Sequence, residues 1–291
     1  MRATSWALAA LAATALGFGF RNGTGLSAPV LYICALAAGY AAFGRRLGRF
    51  GAALALSGAF FAMGPLTRAV SPWDGGTTLR AMDAAIGADL VPYVRHFPSW
   101  FLELMTACYL WFHVYLIATF LQIMFRERSL AAPFLRGFWL IYGIGFVCYL
   151  LLPGSGPKYL WPEAYAAGGP LLHFSDLLAE WADAERGVFP SLHAAGALYI
   201  LVFDARFRPR RAARWALPVV GVILSTVLLG YHYTVDVLAG MLLVAAGWIV
   251  AVGEPAVRAR PARFNPTNCP TNYGPVDAST STSMSTSRTG Q

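Results

Sequence analysis

WFLELMTACYLWFHVYLIATFLQIMF, residues Trp100 to Phe125, carries one Asp, Glu, Lys or Arg, the residue Glu103. A helix needs about 20 predominantly apolar residues to cross the hydrocarbon core of a bilayer, and this run exceeds that. Seven more apolar runs flank it: Trp6–Phe20, Pro29–Phe43, Phe50–Leu66, Gly137–Leu152, Ser191–Phe203, Trp215–Tyr231 and Val237–Val252. The expected fold class is all-α, a polytopic membrane helix bundle of about eight transmembrane helices.

Composition agrees. Hydrophobic residues make up 57% of the chain and charged residues 12%, against about 25% charged in soluble domains. Mean hydropathy is +0.53. The formal net charge of +8 does not point to nucleic acid, because the arginines gather between apolar runs. The clusters are Arg45, Arg46 and Arg49; Arg126, Arg128 and Arg136; Arg206, Arg208, Arg210, Arg211 and Arg214; and Arg258, Arg260 and Arg263. Positive-inside loops look like this, and such charge meets anionic lipid. With alternating spans all four clusters fall on one side, read as cytoplasmic. The connections Arg21–Ala28, Thr67–Ser99, Pro153–Pro190 and Gly230–Asp236 then face outward. The Ala- and Arg-rich composition suggests a bacterial plasma membrane.

Arg2 and the apolar run after it also suit a signal peptide; a retained span is the expectation. The cysteines Cys34, Cys108, Cys148 and Cys269 have no metal-ligand or redox spacing, so neither a disulfide framework nor a metal is expected. Three regions follow: 1–99, an N-terminal membrane region of three spans and an outer loop; 100–252, the bundle bearing the polar clusters; and 253–291, a cytoplasmic tail whose polar, low-complexity sequence reads as disordered. Within 67–99, Leu79, Met82, Ile86 and Leu90 have helical spacing with Asp83 and Asp89 between them. That fits a short interfacial helix as well as an ordinary loop.

Three outer segments hold the chemistry-bearing residues: Pro153-Gly-Ser-Gly-Pro-Lys158-Tyr159, Phe189-Pro190-Ser191-Leu192-His193, and Gly230-Tyr231-His232-Tyr233-Thr234-Val235-Asp236. From His193 the chain descends, turns at an arginine cluster and climbs back to His232. Each leg rises about 20–27 Å if helical, so both histidines return to one depth, just below the outer interface. His232 and Asp236 are four apart and share a helix face. The carboxylate could accept from one ring nitrogen and leave the other basic, with His193 as general acid and Lys158 as a point charge for phosphate. Tyr159, Arg186 and Ser191 are near enough to assist. Singly, each feature has an ordinary explanation: a structural histidine, a Gly-rich turn, a proline at a helix start, tyrosines of an aromatic belt. Two histidines, an aspartate and a lysine on one face of a charge-poor chain point instead to a site.

Pro157-Lys158, Pro190-Ser191-Leu192-His193 and His232-Tyr233-Thr234-Val235-Asp236 resemble the three motifs of the type-2 phosphatidic acid phosphatase superfamily. The likeness covers roughly residues 100–252. The Phe-Pro-Ser-Leu-His and His-Tyr-x-x-Asp forms look most like its inositol phosphorylceramide synthase and sphingomyelin synthase branch. The resemblance implies that His232 attacks phosphorus to form a phosphohistidine and that Asp236 orients it. It also implies that His193 protonates the leaving oxygen and then activates the acceptor, while Lys158 holds phosphate oxygens. No cofactor and no metal are implied. The partners implied are a phospholipid donor and a lipid hydroxyl or water acceptor, with no obligate protein partner. Two departures weaken a simple phosphatase reading. Ser225-Thr226 stands where such phosphatases have Ser-Arg, and Trp161-Pro162 where they have Arg-Pro. Arg186 could supply the missing charge. The resulting expectation is phosphoryl or phospho-head-group transfer between lipids, with lipid phosphate or undecaprenyl diphosphate hydrolysis as the alternative. A transporter, the rival from another class, would call for inverted repeats, and none is visible. Among other residues, His113 is expected to bond to a neighbouring helix. Glu103 should meet a head group or water, and Asp204 should pair with the arginine loop. His96 and His173 are expected in solvent.

Overall fold

The structure is a computed structural model describing residues 2–181 and 185–253. The tail expected to be disordered lies outside the described residues, apart from Gly253. Eleven α-helices occur among the described residues: α1 Arg2–Arg21, α2 Ala28–Val70, α3 Gly76–Ala85, α4 Val91–Val94, α5 Ser99–Leu121, α6 Arg128–Leu151, α7 Pro157–Leu160, α8 Pro170–Trp181, α9 Leu192–Phe207, α10 Pro209–Leu228 and α11 Thr234–Val252. The protein is an all-α polytopic membrane bundle.

Terminal residues aside, each of the eight predicted spans lies in a helix. Among the described residues, six segments are long and apolar enough to cross a membrane: Ala3–Arg21, Arg46–Val70, Ser99–Arg126, Arg128–Leu151, Pro209–Leu228 and Thr234–Val252. Ala28–Gly44 is shorter, and α9 has 16 residues. The shortness of α9 has a packing reason. It contacts α5, α6, α10 and α11 and buries Ala194, Ala195, Gly196 and Ala197 among them, so it is walled by protein rather than lipid. Small residues allow that close approach.

Two boundaries differ from the sequence reading. The Arg45–Arg49 connection is a sharp kink within α2 at Gly48, where φ is 56°, a left-handed conformation that glycine adopts without a Cβ penalty. The predicted span Trp215–Tyr231 begins earlier, at Pro209, because proline suits the first helical turn. It ends at Leu228, ahead of Gly230.

Helix α6 is the axis of the bundle, packing on α1, α2, α9 and α11. Its Phe134, Phe138, Tyr142 and Phe146 recur at four-residue spacing and stay buried, forming one ladder down a helix face. Phe138 and Tyr142 stack at 4.3 Å between centroids. Trp139 donates to the Ala52 carbonyl at 3.0 Å, tying α2 to α6. At the end of α9 that carries the arginine cluster, Asp204 is fully buried. It pairs with Arg211 at 2.7 Å and with Arg208, as the sequence suggested.

Segment 67–99 is structured rather than an ordinary loop. Helix α3 buries Leu79 against Val188 and Tyr233, whereas Met82 and Ile86 are exposed. Its Asp83 accepts from the Thr234 and Val235 amides, both at 2.8 Å, and so supports the start of α11. Glu103 does the same for α8, accepting from Gly169, Leu171 and Leu172 at 2.9, 3.0 and 3.1 Å. First-turn amides have no intrahelical partner, and a carboxylate also meets the positive end of the helix dipole.

Candidate active site

His193 opens α9 and His232 sits in the turn before α11. The joint between them is built from backbone: the Ser191 amide donates to the Asp236 carbonyl at 2.9 Å. Gly240 permits the approach, because a Cβ there would stand 2.5 Å from the Ser191 carbonyl oxygen. Ser191 is the N-cap of α9, its hydroxyl accepting from Ala194 at 3.3 Å.

The two imidazoles meet directly, His232 Nε2 lying 3.4 Å from His193 Nδ1. His232 Nδ1 is 2.9 Å from the Val188 carbonyl oxygen and 3.6 Å from Asp236 Oδ2. His193 Nε2 is 3.2 Å from the Tyr109 hydroxyl. A carbonyl only accepts, so His232 carries its proton on Nδ1 and leaves Nε2 as acceptor. His193 then donates from Nδ1 to His232, and Tyr109 donates to His193 Nε2. Every donor in this chain meets one acceptor.

The sequence assigned the orienting bond to Asp236; in the fold the nearer partner of the ring is Val188. Asp236 Oδ2 instead accepts from the Tyr233 amide at 2.8 Å, closing the first turn of α11. The carboxylate thus sits behind the ring while capping its own helix. Its Oδ1 is buried without a hydrogen-bond partner.

Both histidines line a cavity of about 70 Å³ together with Tyr109, Phe112, Tyr142, Tyr149, Tyr159, Tyr231 and Leu192. Phe60, Met63 and Gly64 of α2 complete one side. Tyr159 is therefore at the site. Lys158 stands behind Tyr231, its ammonium 4.4 Å from that ring's centroid and paired with Asp176 of α8. Burial pushes the Lys158 ammonium below its usual value, and Asp176 pulls it part of the way back. Tyr231 donates to Asp176 Oδ1 at 2.7 Å and stacks on Tyr109 at 4.5 Å. The lysine and the histidine pair thus share one aromatic wall.

Arg186 is placed elsewhere. Its guanidinium donates to the Ser71 and Trp73 carbonyls at 3.0 and 3.2 Å, and its Nε lies 3.8 Å from Asp74. It secures the segment after α2 and is absent from the cavity wall. Ser225 and Thr226 spend their hydroxyls on the Val222 and Ile223 carbonyls, so that pair offers no group to a phosphate. His113 packs edge-on to His193 at 5.8 Å with its Nδ1 unpartnered, so the expected bond to a neighbouring helix is not seen at that nitrogen. His96 accepts from Arg95 Nε at 3.3 Å, both exposed.

Sequence reasoning missed Tyr109, Asp176 and the support from Asp83. Two acids, Asp176 and Glu180, stand in the PLLHFSDLLAEW stretch of α8 and were a usable signal for Asp176. Nothing local marks Tyr109, which looks like any aromatic residue of a span.

The PAP2 superfamily model matches residues 77–250, more than half of the chain. The chain belongs to the PAP2 superfamily. The match takes in all three motifs and begins in α3, while α1 and α2 lie outside it. No curated protein and no solved structure matches the chain. Membership places this PAP2 protein, at the level of the superfamily, among membrane lipid phosphatases and phosphotransferases.

Proposed function

We propose that this PAP2 protein transfers a phosphoryl or phospho-head group from a phospholipid to a second acceptor through a phosphohistidine on His232, as an inositolphosphotransferase-like enzyme does. The observation carrying the reading is the proton arrangement of the histidine pair. His232 Nδ1 is held on the Val188 carbonyl, which leaves the Nε2 lone pair directed at His193 3.4 Å away, and both rings line the cavity.

In the first step phosphorus enters between the rings. The His232 Nε2 lone pair forms the N–P bond as the P–O bond to the leaving group breaks. For this step His193 is the imidazolium, its Nε2–H donating to the Tyr109 oxygen, and it gives its Nδ1 proton to the departing oxygen and returns to the neutral ring. The imidazolium formed at His232 is stabilised through Nδ1–H by Val188 and by the Asp236 carboxylate behind it. In the second step His193 takes a proton from the acceptor hydroxyl, whose oxygen attacks phosphorus as the N–P bond breaks. Lys158 offers positive charge at the outer rim once Asp176 yields it to a phosphate oxygen. The transferase reading draws support from the apolar, phenol-lined cavity and from Thr226 in place of the phosphatase arginine. The active site is assigned to the outer face, opposite the Arg208–Asp204 cluster.

The test supplies phospholipids labelled on phosphate, with a fluorescent ceramide or diacylglycerol as acceptor, to wild type and His232→Ala in mixed micelles. A labelled acceptor made by wild type alone supports transfer. Free phosphate alone, lost in the variant, makes the enzyme a phosphatase. Equal background from both proteins across donor classes defeats the phosphohistidine reading.

A further inference from the structure

Helix α2 lies outside the family match, yet its second arm supplies part of the cavity wall. We propose that Phe60, Met63 and Gly64 form the binding site for the hydrocarbon chain of the phosphate-bearing lipid. The inference rests on the reading of the histidine cavity as the phosphate-transfer site.

Depth along the bundle supports it. Arg49 Nε donates to the Met124 carbonyl at 3.0 Å, and Arg208 pairs with Glu127 at 3.3 Å, so α2 and α9 share a reference level at the inner turn. From Arg208 back to His193 a helix rises about 22 Å, and from Arg49 to Gly64 the rise is also about 22 Å. Gly64 therefore stands level with His193, and Phe60 one turn deeper. Helix α2 continues to Val70, about 9 Å further out. A phosphate that reaches the histidines has sunk below the outer end of α2. The chain attached to it then lies against whichever wall is apolar at that depth.

The α2 wall fits that role by composition. Met63 is buried at 5% exposure, whereas Phe60 is 37% and its neighbour Phe61 54% exposed, so the wall runs from the cavity to the lipid-facing surface. Across the cavity Ala179 of α8 lines the same space. Trp181, at the end of α8, meets Phe61 edge-on at 5.9 Å.

The probe is dodecylphosphonate with a terminal diazirine, whose C–P bond resists hydrolysis, added to the full chain in lipid nanodiscs and located by peptide mass spectrometry. The expected result is label on the peptide containing Phe60–Gly64, competed by unlabelled dodecylphosphonate and by a prenyl phosphonate but not by ethylphosphonate. Gly64→Leu fills the wall and Phe60→Ala strips it; each should cut this label at least fivefold in folded protein. Label spread over all lipid-facing helices and insensitive to competition would overturn the proposal, as would label confined to α10. Competed label on α2 in a protein that forms no phosphohistidine would sink the transfer reading while leaving the chain site standing.

Discussion

Removing the Asp83 carboxylate should loosen the start of α11 and, with it, the histidine turn. The four amides at that helix start are all accounted for. Tyr233 donates to Asp236, Thr234 and Val235 donate to Asp83, and Asp236 donates to the Tyr233 carbonyl at 3.2 Å. Asp83→Ala leaves two of the four without a protein partner. Hydrogen bonds to charged groups contribute about 1.5–3 kcal/mol each, and loss of a helix cap costs about 0.5–2 kcal/mol. Thr234 and Val235 are only half-buried, so water replaces part of the loss. The net cost should be about 1–2 kcal/mol, a 5- to 30-fold rise in local opening. Hydrogen exchange followed by mass spectrometry on the Tyr233–Val237 peptide reads this directly. Asp89→Asn, which disturbs an Arg80 pair on the neighbouring segment, is the control. Exchange in that peptide within twofold of wild type, or a rise equal in every helix, would refute the reasoning.

Gly240→Ala should drive α11 off the Ser191 carbonyl and separate the two histidines; the expected result is at least a tenfold loss of phosphoryl transfer from a protein that still folds, checked by turnover and thermal melting. Tyr109→Phe removes the hydroxyl on His193 Nε2, and should lower kcat several-fold and shift its pH profile while leaving KM within twofold. Asp74 gives a pH prediction. Burial raises its carboxyl, but the bonds from Ser155 and Gly76, with Arg186 nearby, outweigh that and hold it below its ordinary 3.8. A lowered carboxyl stabilises the fold above its unfolded value and loses that contribution as pH falls through the folded value. Acid titration of Asp74→Asn should therefore show a shallower loss of stability below pH 3.8 than wild type.

The fold was legible because the spans are long and the arginine clusters alternate with them. Where the reading slipped, three-dimensional neighbours decided. The α9 sequence is too short for an exposed span and is rescued by burial within the bundle. Helix α3 is stabilised through Leu79 and Asp83, whose partners lie about 110 to 150 residues later in the chain. At the site, His193, His232 and Asp236 come together as the motif spacing implied, and Tyr159 joins them. The same spacing could not reveal that Val188 takes the nearer place at His232, since a carbonyl acceptor has no side-chain signature. Lys158 could be read as a free charge only because Asp176, its counter-ion, sits on a separate helix. Arg186 was an available guanidinium in sequence and is a backbone clamp in the fold.

The central claim is the covalent intermediate on His232. A short incubation with phosphate-labelled lipid, an alkaline quench that preserves phosphohistidine and peptide mass spectrometry test it most directly. The account predicts an acid-labile phosphate on His232 in wild type, formed more slowly in His193→Asn because that variant lacks the acid of the first step, and none in His232→Ala. Turnover without any label on His232 in either background, or label on another residue, would contradict it.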